Sequence, residues 1–220
     1  MRRALLIDVD GVLVRGRPSD GRPWTSELKR DLGLDPELLH QHFFAKHWPD
    51  IVIGRAALEE KLAPVLAEIA PHLTYQDFTA YWFANDVRLD VELLAALDLL
   101  RSSGITIALA TNQEHMRARH LLGSLGLSRH VDDIFYSAAI GARKPEPAFF
   151  RAVQDKLGLE GQALLLLDDS LENVEAARRL GWQAIHWTQD SRLDREMAKL
   201  ETAPGLAQPR SAGLPRGARS

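Results

Sequence analysis

A short apolar run ending in two carboxylates limits what this chain can fold into more than any other feature. Residues 4–7 read Ala-Leu-Leu-Ile and are followed at once by Asp8-Val9-Asp10-Gly11. An apolar run of that length without alternation fits a strand covered on both faces, as in a parallel sheet. Similar runs recur at residues 105–110 and 163–167, with weaker ones at 134–140 and 183–187. Helical periodicity follows the strong runs at 114–125, 147–157 and 171–180, where Gly126, Gly158 and Gly181 stand as C-terminal stops. A helix over 91–101 feeds the second strand. The alternation predicts an α/β fold: a Rossmann-like parallel sheet with helices on both faces.

Between residues 16 and 88 no comparable strand is legible. Residues 26–32, 36–44, 56–69 and 75–83 read as helices, and the block holds Trp24, Phe43, Phe44, Trp48, Tyr75, Phe78, Tyr81, Trp82 and Phe83. Those large rings fit the interior of a small helical insertion, with one or two left to line a pocket. The expected organisation is therefore an α/β core over 1–15 and 89–202 and a helical insertion over 16–88. Past residue 202 the chain is rich in Pro and Gly and carries no acid, so 203–220 reads as a disordered tail. No internal repeat is visible.

Composition removes several mechanisms. With Cys 0 there is no disulfide, thiolate metal site or cysteine nucleophile, and the net charge of -3 gives no global reason to expect nucleic acid or membrane as a partner. Met1-Arg2-Arg3 imitates the start of a secretory leader, but Asp8 and Asp10 end the apolar run too soon, and no run is long enough for a bilayer. The expected location is cytoplasmic.

In an open α/β sheet, ligands bind beyond the carboxyl ends of the strands. Here those ends read Asp8-Val9-Asp10, Thr111-Asn112, Arg143-Lys144-Pro145 and Asp168-Asp169-Ser170. Each alone has a structural explanation: Thr111-Asn112-Gln113-Glu114 spells a capping box, Asp169 or Ser170 suits an N-cap, and a lone Lys144 suits the surface. Their joint placement has none. Two carboxylates about 4 Å apart repel by roughly 4 kcal/mol at an effective dielectric near 20, so four of them demand a cation. An all-oxygen donor set points to a hard divalent ion, with Mg²⁺ favoured over Ca²⁺ where substrate phosphate completes the shell.

With these residues in order, the sequence resembles the haloacid dehalogenase superfamily, most of whose members are phosphatases. The first motif is met by Asp8-Val9-Asp10-Gly11-Val12-Leu13, the second by Thr111, the third by Lys144-Pro145 and the fourth by Asp168-Asp169, at separations of 103, 33 and 24 residues. The resemblance covers about residues 4–187; Asp168-Asp169-Ser170-Leu171-Glu172-Asn173 is similar to the branch that includes small sugar-phosphate phosphatases, and the insertion is similar to a C1-type helical cap. It implies that Asp8 is the nucleophile and Asp10 the general acid and base, while Thr111 and Lys144 hold phosphoryl oxygens. It further implies that Asn112 adds a donor, that Asn173 orients the acidic loop, and that Mg²⁺ is held by Asp8, the Asp10 carbonyl, Asp169 and, through water or sharing, Asp168. Asp10 argues for phosphate esters over carbon–halogen bonds, because an oxygen leaving group needs a proton.

The expected substrate is a small phosphorylated metabolite. A phosphomutase or a phosphate-binding regulatory protein on the same scaffold stays open. A signalling receiver domain is disfavoured because its acidic pair comes first in the chain rather than last. His40, His42 and His47 match no metal spacing, and His115 and Arg55 are weak candidates for substrate contact, more simply read as helix and surface residues.

Overall fold

The structure, a computed structural model, describes residues 3–202. Five strands, β1 (Ala4–Ile7), β2 (Thr106–Thr111), β3 (Asp133–Tyr136), β4 (Leu164–Asp168) and β5 (Gln183–His186), form one parallel sheet in the order β3-β2-β1-β4-β5. The helices are α1 (Leu28–Leu32), α2 (Pro36–Leu39), α3 (Ala45–Ile51), α4 (Leu58–Ile69) and α5 (Tyr75–Ala84) between the first two strands. After them come α6 (Val91–Ser102), α7 (His115–Leu122), α8 (Ser137–Ile140), α9 (Pro147–Leu157), α10 (Leu171–Arg179) and α11 (Leu193–Thr202).

The central strands are apolar end to end because both faces are covered. Leu6, Ala108, Ala110, Leu164 and Leu166 join Phe149, Phe150 and Val153 of α9 and Val174 and Ala177 of α10 in one cluster. The alternate residues Leu5, Ile7, Ile107, Leu109, Leu165 and Leu167 are also buried, and α6 contacts β2. Side chains of period two thus serve two layers. Chain order moves outward from β1 to β2 and β3, then returns to the other side of β1 for β4 and β5. The switch point lies between β1 and β4, where open α/β sheets place their ligands.

The helical block has its own interior, built from Leu28, Leu39, Phe43, Leu62, Phe78 and Trp82 among others. Trp24 stacks on Trp82 with ring centroids 5.2 Å apart, and Phe44 meets Trp48 edge-on at 5.5 Å. The block leaves and rejoins the sheet through a narrow neck. Val14 bridges Leu89 in antiparallel fashion, Arg15 N donates to Arg88 O at 2.9 Å, and Arg88 N donates to Gly16 O at 3.1 Å.

Three sequence expectations need correction. The apolar run at 134–140 is not one strand: β3 ends at Tyr136, and Ser137–Ile140 is a helical turn closed by Gly141 at φ 80°. A buried strand and a buried helical turn look alike in so short a run. The helix read over 114–125 ends at Leu122 with Gly123 as its cap, and Gly126, at φ 79°, heads the next 3₁₀ turn instead. The helix read over 36–44 continues through a π-helical turn, His40–Phe44, into α3, which contains Pro49.

The described residues from Asp190 onward belong to a second unit, which holds α11. The tail expected over 203–220 lies outside the described residues. Among the described residues, no helix is long and apolar enough to cross a membrane.

Leu6 lies in the middle of the sheet at 0% exposure, whereas Leu99 on α6 is 74% exposed. Leu6→Ala should lower the unfolding free energy by about 2–5 kcal/mol. Leu99→Ala should change it by less than about 0.5 kcal/mol. Urea unfolding followed by circular dichroism reads both.

Candidate active site

Asp8 stands one residue past β1, and its N–H extends the pairing with β4 by donating to Leu167 O at 2.9 Å. Its Oδ1 accepts from Val9 N at 2.7 Å. The chain then turns sharply: Leu13 N and Val14 N both donate to Val9 O, at 2.9 and 2.8 Å, and Gly11 takes φ 79°. The turn packs against Asp169 so closely that a Cβ on Gly11 would lie 2.1 Å from its Oδ2. Glycine is needed there for both reasons.

Asp168 ends β4, the neighbour of β1, and is fully buried. Its Oδ1 accepts from Ser170 N and Asn173 Nδ2, each at 2.9 Å, and its Oδ2 accepts from Lys144 Nζ at 2.5 Å. The same Nζ lies 3.1 Å from Asp8 Oδ1. Asn112 fixes the lysine's backbone like a second peptide group: its Nδ2 donates to Lys144 O at 3.0 Å while its Oδ1 accepts from Lys144 N at 2.9 Å. Asn112, Lys144, Asp168 and Asn173 therefore form one connected frame around Asp8.

Asp8, Asp168 and the exposed Asp169 each offer a carboxylate oxygen, all within 4.8 Å of one another. Their charges reshape the titration of the cluster. Burial pushes the Asp8 carboxyl up to about 7, opposed by Lys144 and reinforced by Asp168 and Asp10. Burial and Asp168 raise Asp169 as well. Burial works against the Lys144 ammonium, but Asp8 and Asp168 outweigh it and hold the group above its usual range. Three carboxylates face one ammonium, so the cluster stays short of positive charge.

Thr111 is the last residue of β2 and is buried. The capping-box reading of Thr111 and Glu114 is wrong in register: Glu114 itself caps α7, accepting from Met116 N at 2.7 Å and from Arg117 N. An acid two or three residues before free helical N–H groups can cap directly, which leaves Thr111 in the strand with its hydroxyl at the sheet edge. Asp10 is exposed, and its carboxylate accepts from Gln113 Nε2 at 2.6 Å.

Beside Asp10 opens a cleft of about 590 Å³, lined by Asp10, Gly11, Asn112 and Gln113 on one side and by Trp24, Trp48 and Trp82 on another. Asp8, Lys144 and Asp168 do not line it. Sequence reasoning gave no role to several of its residues, among them Gln113, Arg117 and Asp86. Gln113 follows a recognised pair, but its reach toward Asp10 depends on the backbone path. Arg117 and Asp86 gave no signal at all. Arg117 is buried, with Nη2 donating to Asp86 O at 2.5 Å and to its carboxylate at 3.1 Å and its guanidinium 5.3 Å from the Phe83 ring centroid. It ties α7 to the end of the helical block.

His115 bonds Tyr136 and Arg55 faces solvent beside Asp50, and neither lines the cleft. His42 sits 3.7 Å from Glu68, away from the acidic cluster.

Comparison with known proteins follows the same lines. Residues 2–181 match the haloacid dehalogenase-like hydrolases. A phosphoglycolate phosphatase of Rhodospirillum rubrum is 31% identical over 200 residues, 82% of this chain and 77% of that protein. A phosphatase of Mycobacterium tuberculosis is 36% identical over 197 residues, 82% and 85% of the two chains. A HAD-family enzyme of Bacteroides thetaiotaomicron shares the fold with a TM-score of 0.75 at 18% identity, over 89% of this chain and 98% of that one. The same enzyme has been solved with magnesium and inorganic phosphate, at a TM-score of 0.70 and 17% identity over 89% and 99% of the two chains.

Lys144 is the countercharge for two buried acids, so Lys144→Met should cost about 3–5 kcal/mol in the presence of a chelator. Adding Asp168→Asn removes one of the stranded charges. The double variant should lose less stability than the two single losses added together, as read by denaturant unfolding.

Proposed function

The chain belongs to the haloacid dehalogenase-like hydrolases, and from that premise we propose that it is a magnesium-dependent phosphatase of a small phosphorylated metabolite, working through an aspartyl phosphate on Asp8. The observation that carries the reading is Lys144 Nζ held between Asp8 and Asp168 while Asp8, Asp168 and Asp169 converge their oxygens. The curated relatives named as phosphatases, phosphoglycolate phosphatase among them, support the ester class.

The donor set suits a hard divalent cation: it is all oxygen, it lacks countercharge, and the Gly11 turn leaves no room for a side chain against Asp169. In this reading Asp8, the backbone carbonyl of Asp10 and Asp169 would hold Mg²⁺, with Asp168 as an indirect or shared ligand. The magnesium and phosphate complex of the Bacteroides enzyme supports that choice. When bound, the ion neutralises the repulsion between a carboxylate nucleophile and an anionic phosphate and polarises the phosphoryl oxygens.

The chain's own residues then divide the work. Asp8 attacks phosphorus in line and the bond from phosphorus to the leaving oxygen breaks, turning one hard displacement into two easier ones. Asp10 gives its proton to the leaving oxygen, then takes one from the water that cleaves the aspartyl phosphate. Lys144 and Thr111 hold phosphoryl oxygens as charge shifts, and Asn112 fixes the lysine that does so. The cleft opens beside the proton donor Asp10, so it is where the alcohol part of the ester belongs. Its volume suits a metabolite. The division into an α/β core over 1–15 and 89–202 and a helical cap over 16–88 is part of the same reading, with the tryptophan side of the cleft supplied by the cap.

Asp8→Asn should abolish hydrolysis of 4-nitrophenyl phosphate and of a small-metabolite phosphate panel, a loss on the order of 10⁴-fold or more, with the unfolding midpoint retained. Turnover that survives this substitution would sink the reading. Chelation should likewise stop the wild-type enzyme, and added Mg²⁺ should restore it.

A further inference from the structure

We infer that Gln113 is a positioning residue that aims the Asp10 carboxyl group at the leaving oxygen. The inference rests on the phosphatase reading. Among the described residues, Gln113 is the one side chain that hydrogen-bonds the Asp10 carboxylate, at 2.6 Å, and it does so from a position 103 residues away in sequence. A carboxylate only accepts, so the amide nitrogen must be the group that faces it.

Asp10 needs such a hold. It is exposed, so a carboxyl group with no partner would swing toward water. Gln113 opposes the swing from a fixed base: it is 3% exposed, and its carbonyl accepts from Ala138 N at 3.2 Å. Ser137 Oγ lies 3.2 Å from the same carbonyl and 2.5 Å from Val52 O of the helical block, so one hydroxyl sits between both parts of the chain at this point. Gln113 also reaches to 3.5 Å from Thr111 Oγ1, spanning from the phosphoryl side of the site to the leaving-group side. A general acid acts only when its proton is within reach of the departing oxygen, and a small misplacement is costly.

A positioning role for proton transfer makes a specific demand. As the bond from phosphorus to the leaving oxygen breaks, the electron pair stays on that oxygen and the Asp10 proton joins it. A nitrophenolate leaves readily without the proton; an alkoxide does not. Gln113→Met keeps the side-chain volume and removes the donor. It should lower kcat on an alkyl ester such as glycerol 2-phosphate by roughly 10- to 100-fold, part of the range that general acid catalysis supplies, and change kcat on 4-nitrophenyl phosphate only a few-fold. Because both esters are read on one preparation, their ratio is insensitive to any unfolded fraction. Gln113→Glu, which places a carboxylate against Asp10, should show the same selectivity with a larger alkyl-ester loss. In an Asp10→Asn background, Gln113→Met should add no further selective loss. Equal losses on the two esters, or no loss on either, would overturn the inference while leaving the phosphatase reading intact. Wild-type enzyme with no turnover on either ester would remove the reading and the inference together.

Discussion

A single ammonium group, Lys144 Nζ, lies between the carboxylates of Asp8 and Asp168 in a part of the protein that excludes water. Burying an ion is costly, and burying two acids side by side is more so. What makes the arrangement tolerable is completeness: every oxygen of Asp168 has a donor, and Asn112 holds the lysine through both polar groups of its backbone. The cluster's cost is set off by the sheet beneath it. Its members come from adjoining strand ends and from the segment after α8, so the cluster exists only where the sheet is correctly assembled.

Strand order explains why those ends meet. With β1 between β2 and β4, the switch point puts Asp8 and Asp168 on adjoining strands and Thr111 on the other flank. Two carboxylates that repel one another are thus brought together by the topology. A charged site follows from a fold that otherwise serves to bury Leu, Ile and Ala. The polar groups divide between a buried side, with Asp8, Lys144 and Asp168, and an open side, where Asp10 meets the cleft and its aromatic wall.

The parts legible in sequence are those in which local pattern and global position coincide. Runs of apolar residues at 4–7 and 163–167 are each followed by acids and then by a turn or a helix, so the strand reading and the place of those acids at the carboxyl end of the sheet agree. The pattern fails where one segment supports two local structures. Residues 134–140 are apolar for both a strand and a helical turn, and only Gly141, with its left-handed backbone, ends the ambiguity in favour of the turn. Glu114 could complete a box or cap alone, and the path out of β2 decides. Gln113 and Arg117 were out of reach for another reason. Their partners, Asp10 and Asp86, are distant in sequence, and an amide or a guanidinium carries no mark of which distant oxygen it will meet.

The neck at Val14 and Leu89 bears on how such a chain could change over time. Arg15 and Gly16 on the outgoing segment hydrogen-bond Arg88 on the returning one, so the ends of the helical block are already tied together at the sheet's edge. The entropy cost of closing a loop grows only slowly with its length, and here the closure is made by a few residues at the neck. From the standpoint of the sheet, the intervening seventy-odd positions are close to invisible. Lineages could lengthen, shorten or replace much of them, and with them the walls of the cleft, while the strand ends that hold the acidic cluster stay as they are.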